Sequence, residues 1–344
     1  MEYINPPLLK KGDTIGVISP SGGLAALVPH RLDNAIKFLE EQGYKIKEFS
    51  CTRKNNGWES ASAEERAKDI MNAFLDKEVN VIICSIGGNT SNKTLKYLDF
   101  EKIKQNPKIL CGYSDISVLH YAILKKTGLS TFYGPCMMTQ FGEHPKPLDY
   151  TIEYFNKAVK ERGIGEIKSS KKWTDEVLDW FAKKDLERPR KLKENSGFEW
   201  IKKGQAKGKI IGGCLHSLIH LIGTEYWPSH QDKILFIETP EGDDFTKGES
   251  LAEVDAQLGD LDISGIFGQI KGLIVGRPFG QSEEEVKKFK EIILDNTKDY
   301  NFPILFGIDI GHTDPQITIP LGAEIILNSS LNKFSIDEAY VTKN

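Results

Sequence analysis

Residues 79–88, VNVIICSIGG, are apolar almost throughout and end in two glycines. No other stretch limits the fold so tightly. A run of this kind lacks a solvent face, so it fits a strand covered on both sides, as in a parallel sheet. Its neighbours agree. Residues 14–21 (TIGVISPS) form a β-rich run ending in a Pro-Ser-Gly-Gly turn, and residues 29–43 place Leu32, Ala35, Ile36 and Leu39 at helical spacing. YKIKEF is a strand candidate. Residues 63–76 read as a helix, with Ser62 as cap and Glu65 three residues on. KILCGYSD then runs straight into the helix-like ISVLHYAILKK. Strands alternating with helices predict an α/β fold, an N-terminal doubly wound parallel sheet with right-handed crossovers.

The pattern changes after about residue 145. KKDLERPRKLKENSGFEWIKK is dense in charge and broken by Pro189 and Gly197, so residues 145–205 read as a connecting region that leaves the first core and covers something. Order resumes from about residue 206. GKIIGG, KILFIETPE, IKGLIVGRP and PILFGIDIGH are strand candidates, LHSLIHLIG and residues 251–258 and 283–298 helix candidates, and QITIP, AEIILN and KFSI short tail strands. The expected organisation is an α/β domain over 1–144, the connecting region over 145–205, and a second α/β or β-rich domain over 206–344. A chain of 344 residues suits two cores of ordinary size.

Charge excludes some partners. With 45 basic and 49 acidic side chains the net charge is -4, so neither nucleic acid nor an anionic membrane is the expected main partner. Five scattered cysteines without C-x-x-C spacing read as buried thiols rather than a disulfide framework or a zinc site. The opening MEYINPPLLKKGD has no apolar core of a secretory signal and no run is long enough to span a bilayer, so a cytoplasmic protein is expected.

Several positions have chemical potential. Ser114 falls where a buried strand turns sharply into a helix, an elbow that lifts a hydroxyl above the sheet beside helix N-terminal amides. Taken alone it reads first as a plain N-cap with Asp115 favouring the helix dipole, and the segment is not G-x-S-x-G. SIGGNTSN (85–92) exposes backbone amides at the carboxyl edge of the sheet, where Gly88 N–H can donate to an oxyanion or the loop can be a phosphate-binding or ordinary turn, although it is neither G-x-G-x-x-G nor a P-loop. Glu238 ends an apolar strand, an expensive place for a carboxylate unless a partner such as histidine meets it or the edge faces water. Glu241, Asp243 and Asp244 look like solvated loop acids, with a metal site as the alternative. His312 follows a strand and a glycine, and histidine titrates near neutrality, as a general base for serine must. Spacing alone does not bring Ser114, Glu238 and His312 together.

These segments resemble the LD-carboxypeptidase/microcin-immunity family of serine peptidases over nearly the whole chain: PLLKKGDTIGVISPS, Gly87–Gly88, GYSD at 112–115, GG-x-L…GT from Gly212 to Thr224, ETPE at 238–241 and GHTDP at 311–315. The resemblance implies Ser114 as nucleophile, His312 as general base, Glu238 as its orienting acid, and an oxyanion hole from the amides of Gly88 and Asp115. It implies no metal or other cofactor, and a homodimer. Gly87, Asn89, Trp180 and Cys214 are the expected substrate contacts.

Two branches compete. One removes a terminal D-alanine from murein tetrapeptides, and the other cleaves a peptidyl- or aminoacyl-nucleotide conjugate. SIGGNTSN stands where the first branch tends to carry an Arg-Gly-Gly-Tyr-Gly type loop, and the Trp173/Trp180 segment is similar to the second branch's covering loop, so the second is the expected activity. The tryptophans can equally be hydrophobic anchors. Cys214 replaces an asparagine common in the family, exchanging a two-way hydrogen-bonding group for a weak one. A transpeptidase using the same acyl-enzyme and a non-catalytic small-ligand-binding protein are the rival readings.

Overall fold

The computed structural model describes residues 3–161, 163–337 and 340–342. In the first sheet, β1 (Thr14–Ile18), β2 (Lys45–Glu48), β3 (Val79–Cys84), β4 (Ile109–Gly112) and β5 (Phe132–Tyr133) run parallel in the order β5-β4-β3-β1-β2. Between them lie α1 (Leu24–Leu27), α2 (Pro29–Glu41), α3 (Ala63–Leu75), α4 (Phe100–Gln105) and α5 (Ser117–Thr127). Ser62 and Glu65 form the expected reciprocal cap of α3. The expected doubly wound sheet is present, with β3 buried at every position but Asn80. Strand order reverses between β1 and β3, and the crevice beyond their carboxyl ends is where such sheets receive ligands.

The middle of the chain departs from the sequence reading. Residues 149–160 form α6 (Asp149–Lys160), whose Tyr154, Phe155, Ala158 and Val159 return to the first core. After β6 (Gly165–Glu166) comes a small hairpin, β7 (Lys172–Trp173) with β8 (Lys193–Glu194), whose intervening residues form an outer loop. The charged surface of this region obscured the apolar stripe of α6.

β9 (Glu199–Lys202), β10 (Gln205–Cys214), β11 (Ile234–Glu238), β12 (Gly272–Gly276) and β13 (Ile304–Ile308) build the second sheet, in which β10 to β13 are parallel. LHSLIHLIG forms only a one-turn α7 (Leu215–Leu218) followed by a 3₁₀ turn, because so short a periodic stretch has little helical stability of its own. α8 (Leu251–Ile263) and α9 (Glu283–Asn296) cover the outer face. Among the tail strands, β14 (Ile319–Pro320) pairs antiparallel with β5 in the first sheet, while β15 (Glu324–Asn328) and β16 (Lys333–Ile336) extend the second. The tail therefore ties the two sheets together.

The period of two in β11 decides which way its residues face. Leu235 and Ile237 enter the core under α8 and α9; Ile234 and Phe236 enter the core shared with the first sheet. Glu238 has the parity of Phe236, so it faces the first sheet from the carboxyl end of its strand. No helix among the described residues is long and apolar enough to cross a membrane.

Candidate active site

Ser114 follows β4 with φ +64, a left-handed conformation that costs a non-glycine residue about 1–3 kcal/mol. The strain is held in place from two sides. The Ser114 amide donates to the Tyr133 hydroxyl at 3.1 Å, and the Ser117 hydroxyl donates to the Ser114 carbonyl at 2.6 Å. Serine at the strand–helix junction thus occupies an elbow rather than a relaxed cap; no side-chain capping bond is formed.

His312 Nε2 lies 3.0 Å from Ser114 Oγ, and His312 Nδ1 lies 2.7 Å from Glu238 Oε2. A carboxylate accepting from Nδ1–H fixes the tautomer and leaves Nε2 free to accept the serine proton. Glu238 is 1% exposed, a position that demands satisfied oxygens. Its second oxygen, Oε1, accepts from the Tyr133 hydroxyl. Tyr133 therefore touches both the elbow and the acid. Burial pushes its phenol pKa well up, with Glu238 adding to the shift, so Tyr133 serves as a neutral donor.

Gly311 makes room for this pair. Its φ is +93, and a Cβ there would stand 2.3 Å from Glu238 Oε2. Burial favours neutral His312, but the charges of Glu238 and Glu241, with the Glu238 hydrogen bond and Asp314, outweigh it and lift the pKa to about 9. Tyr113 stands edge-on to the imidazole, its ring centroid 5.0 Å away.

Above the serine runs the loop after β3. A Cβ on Gly87 would lie 2.9 Å from Ser114 Cβ and 3.4 Å from the Asp115 amide nitrogen, so only glycine lets this backbone pass over the elbow. Gly88 follows it directly, and Asn89 is exposed at the rim. The Asp115 side chain, 2% exposed, accepts from Ser21 Oγ (2.5 Å) and from the Ser91 amide (2.9 Å), pinning the loops after β1 and β3 to the elbow. Fully buried Arg66 braces the same loops through the carbonyls of Pro20 (2.7 Å) and Thr90 (3.1 Å).

The structure thus brings Ser114, Asp115, Gly87, Gly88, Glu238 and His312 together. Cys214 is buried behind them: its amide donates to Ser117 Oγ (2.9 Å), and burial together with Glu238 holds its thiol far above the usual range. Trp180, half-buried in the outer loop, has the Arg31 guanidinium 4.4 Å from its ring centroid; Trp173 carries Arg277 and Lys193. Both rings hold the loop to the body of the protein. The same loop reaches His312 from behind. Thr174 and Asp314 exchange backbone hydrogen bonds (2.6 and 2.9 Å), and Arg190 bridges Glu143 and Asp314 at 2.9 and 2.7 Å.

Sequence reasoning missed Tyr133, which reads as an ordinary core aromatic in STFYGP. It also misplaced Glu241, read as solvated, whose carboxylate lies 3.6 Å from His312 Nε2. Among the described residues no three His, Cys, Asp or Glu side chains are grouped to hold a metal ion.

Residues 15–134 match the model of the LD-carboxypeptidase N-terminal domain and residues 207–327 that of the LD-carboxypeptidase C-terminal domain. The microcin C7 self-immunity protein MccF of Escherichia coli is 33% identical over 97% of this chain and 96% of its own. A probable murein peptide carboxypeptidase of Bacillus subtilis is 30% identical over 98% of this chain and 95% of its own. Among solved structures, MccF in complex with glutamyl sulfamoyl guanosine superposes with a TM-score of 0.91 at 31% identity, covering 98% of this chain and 99% of that one.

Proposed function

The chain belongs to the LD-carboxypeptidase family of serine peptidases, and from that premise we propose that it hydrolyses an amide of a peptidyl- or aminoacyl-nucleotide conjugate through an acyl-enzyme on Ser114. The observation that carries this reading is the chain of contacts from Ser114 Oγ to His312 at 3.0 Å and from His312 to Glu238 at 2.7 Å, on a strained elbow.

In this mechanism neutral His312 takes the hydroxyl proton at Nε2 as Ser114 Oγ bonds to the substrate carbonyl carbon. Glu238 holds the imidazolium that forms. The backbone amides of Gly88 and Asp115 stabilise the oxyanion. As the tetrahedral intermediate collapses, the carbon–nitrogen bond breaks and His312 returns the proton to the leaving amine. Water then repeats the sequence, giving the free acid and restoring Ser114. In this reading the acyl group sits against the loop after β3, with Gly87 beneath it and Asn89 at the rim. Trp180 and Cys214 are the more remote substrate contacts in this reading, Trp180 through its aromatic ring.

The nucleotide conjugate is preferred because MccF, solved with glutamyl sulfamoyl guanosine, is similar with a TM-score of 0.91 over 98% of this chain and is 33% identical in sequence against 30% for the murein peptide carboxypeptidase. Murein tetrapeptide is the second reading, supported by the Bacillus subtilis relative. Paired hydrolysis separates them. The protein and its Ser114→Ala variant are incubated with an aspartyl sulfamoyl-adenosine and with an L,D-tetrapeptide, and products are identified by mass. Ser114-dependent cleavage of the adenosine compound is the expected result. Cleavage of the tetrapeptide alone would assign the chain to wall recycling, and cleavage of neither would remove both substrate readings.

A further inference from the structure

The carboxylates bordering the Ser114–His312 contact are not equivalent. Glu238 gives one oxygen to Tyr133 and the other to His312. Asp314, 5% exposed, accepts from Gln140 (3.1 Å) and Arg190 (2.7 Å). Asp115 is buried under Ser21 and the Ser91 amide. Glu241 differs from all three. Its side chain is 34% exposed, and among the described residues its one charged partner is His312, at 3.6 Å from Nε2. The cation of its own loop, Lys247, lies 3.9 Å from Asp244 instead.

Glu241 is also held in position. The loop that carries it is closed by hydrogen bonds from the Gly242 amide to the Lys247 carbonyl (2.9 Å) and from the Glu249 amide to the Pro240 carbonyl (3.1 Å). Its carboxylate therefore approaches the nitrogen that must exchange protons with Ser114 and with the leaving group. A carbonyl carbon under attack by Ser114 Oγ lies within one bond of its own α-carbon. A substituent on that α-carbon is then within reach of a carboxylate beside His312. A carboxylate that is partly desolvated and, among the described residues, has no lysine or arginine paired with it attracts a donor of opposite charge and repels an anion.

Resting on the Ser114 reading above, we propose that Glu241 is a specificity-determining residue that receives a free ammonium group α to the scissile carbonyl, so the acyl half of the substrate is an aminoacyl group with an unblocked amine. This deepens the choice of substrate. An aminoacyl conjugate carries that ammonium; in a tetrapeptide losing its last residue the corresponding nitrogen is a neutral amide.

Equilibrium binding tests this without requiring turnover. Calorimetry on the Ser114→Ala protein compares an aminoacyl sulfamoyl-adenosine with its N-acetyl counterpart, and the comparison is repeated in the Ser114→Ala/Glu241→Gln and Ser114→Ala/Glu241→Asp proteins. The free amine is expected to bind about 10- to 100-fold more tightly than the acetylated compound, as for a charge-assisted contact. Glu241→Gln is expected to abolish that ratio by weakening the free amine alone, and Glu241→Asp to restore part of it. A ratio near one in Ser114→Ala, a ratio untouched by Glu241→Gln, or no binding of either compound overturns the proposal. Hydrolysis by the unsubstituted protein, measured alongside, reports separately on the Ser114 reading: preferential binding without Ser114-dependent cleavage would remove that reading and leave the ammonium contact standing.

Discussion

Tyr133→Phe deletes one oxygen that serves two residues. Its hydroxyl donates to Glu238 Oε1 and accepts from the Ser114 amide at 3.1 Å. The substitution leaves the ring in place between Tyr113 and Phe236, whose centroids lie 6.4 and 5.1 Å away, so packing changes little. A hydrogen bond to a buried charged group contributes about 1.5–3 kcal/mol, and leaving its partner unpaired costs a similar amount. At about 1.4 kcal/mol per decade, kcat/KM should fall roughly 10- to 150-fold.

The direction of the pH shift is fixed as well. Glu238 without its phenol donor keeps His312 as its one side-chain partner among the described residues, so it favours the imidazolium more strongly. The pKa of His312, already lifted to about 9, should rise further. A general base must be neutral, so activity appears as pH rises through its pKa; the acid limb of kcat/KM should therefore move upward. The assay is kcat/KM on a verified substrate from about pH 6 to about pH 10, beside a thermal melt. A merely structural tyrosine would lower the melting temperature without moving the limb. Parent kcat/KM with an unmoved limb would refute the argument that Tyr133 positions the acid and the elbow together.

Two other substitutions probe the surroundings of His312. Arg190→Met leaves Asp314 facing the imidazole with only Gln140 as side-chain partner among the described residues; the acid limb should rise, and breaking this buried pair should cost about 3–5 kcal/mol in a denaturant titration, whereas Arg190→Lys should fall between. Gly311→Ala puts a methyl where Glu238 Oε2 stands and forces a side chain into φ +93, so turnover should drop on the order of 100-fold or more while substrate binding changes less, read as a kcat loss with KM nearly preserved.

Much of this arrangement was legible from one dimension. The strand periods and glycine-closed runs specified the first sheet, because a parallel strand covered on both faces leaves an apolar run that no surface element shares. Ser114, Glu238 and His312 each stood out through a local conflict: a serine at a sharp junction, a carboxylate ending an apolar strand, a histidine after a glycine in a strand-end loop. Their meeting was not legible, since it depends on two sheets whose carboxyl ends converge, and the family resemblance supplied it. Tyr133 was invisible because an aromatic in an apolar segment has a sufficient reason to be there; only the pairing of Gly112 with Tyr133 in neighbouring strands puts its hydroxyl under the elbow. Glu241 was hidden among loop acids for the opposite reason, since charge in a turn looks solvated until the loop is closed. α6 was masked by the charges on its outer face, and β14 by its distance in sequence from the β5 edge it joins.

The central claim is that Ser114 is a nucleophile activated by His312 and Glu238. Fluorophosphonate labelling, followed by intact mass and peptide mapping, tests it most directly, since phosphonylation requires an activated hydroxyl and no knowledge of the substrate. A single adduct on Ser114, absent in Ser114→Ala and slowed by orders of magnitude in His312→Ala, is the predicted result. Undiminished labelling of the Ser114→Ala protein, or an adduct mapped to any other residue, would contradict the account.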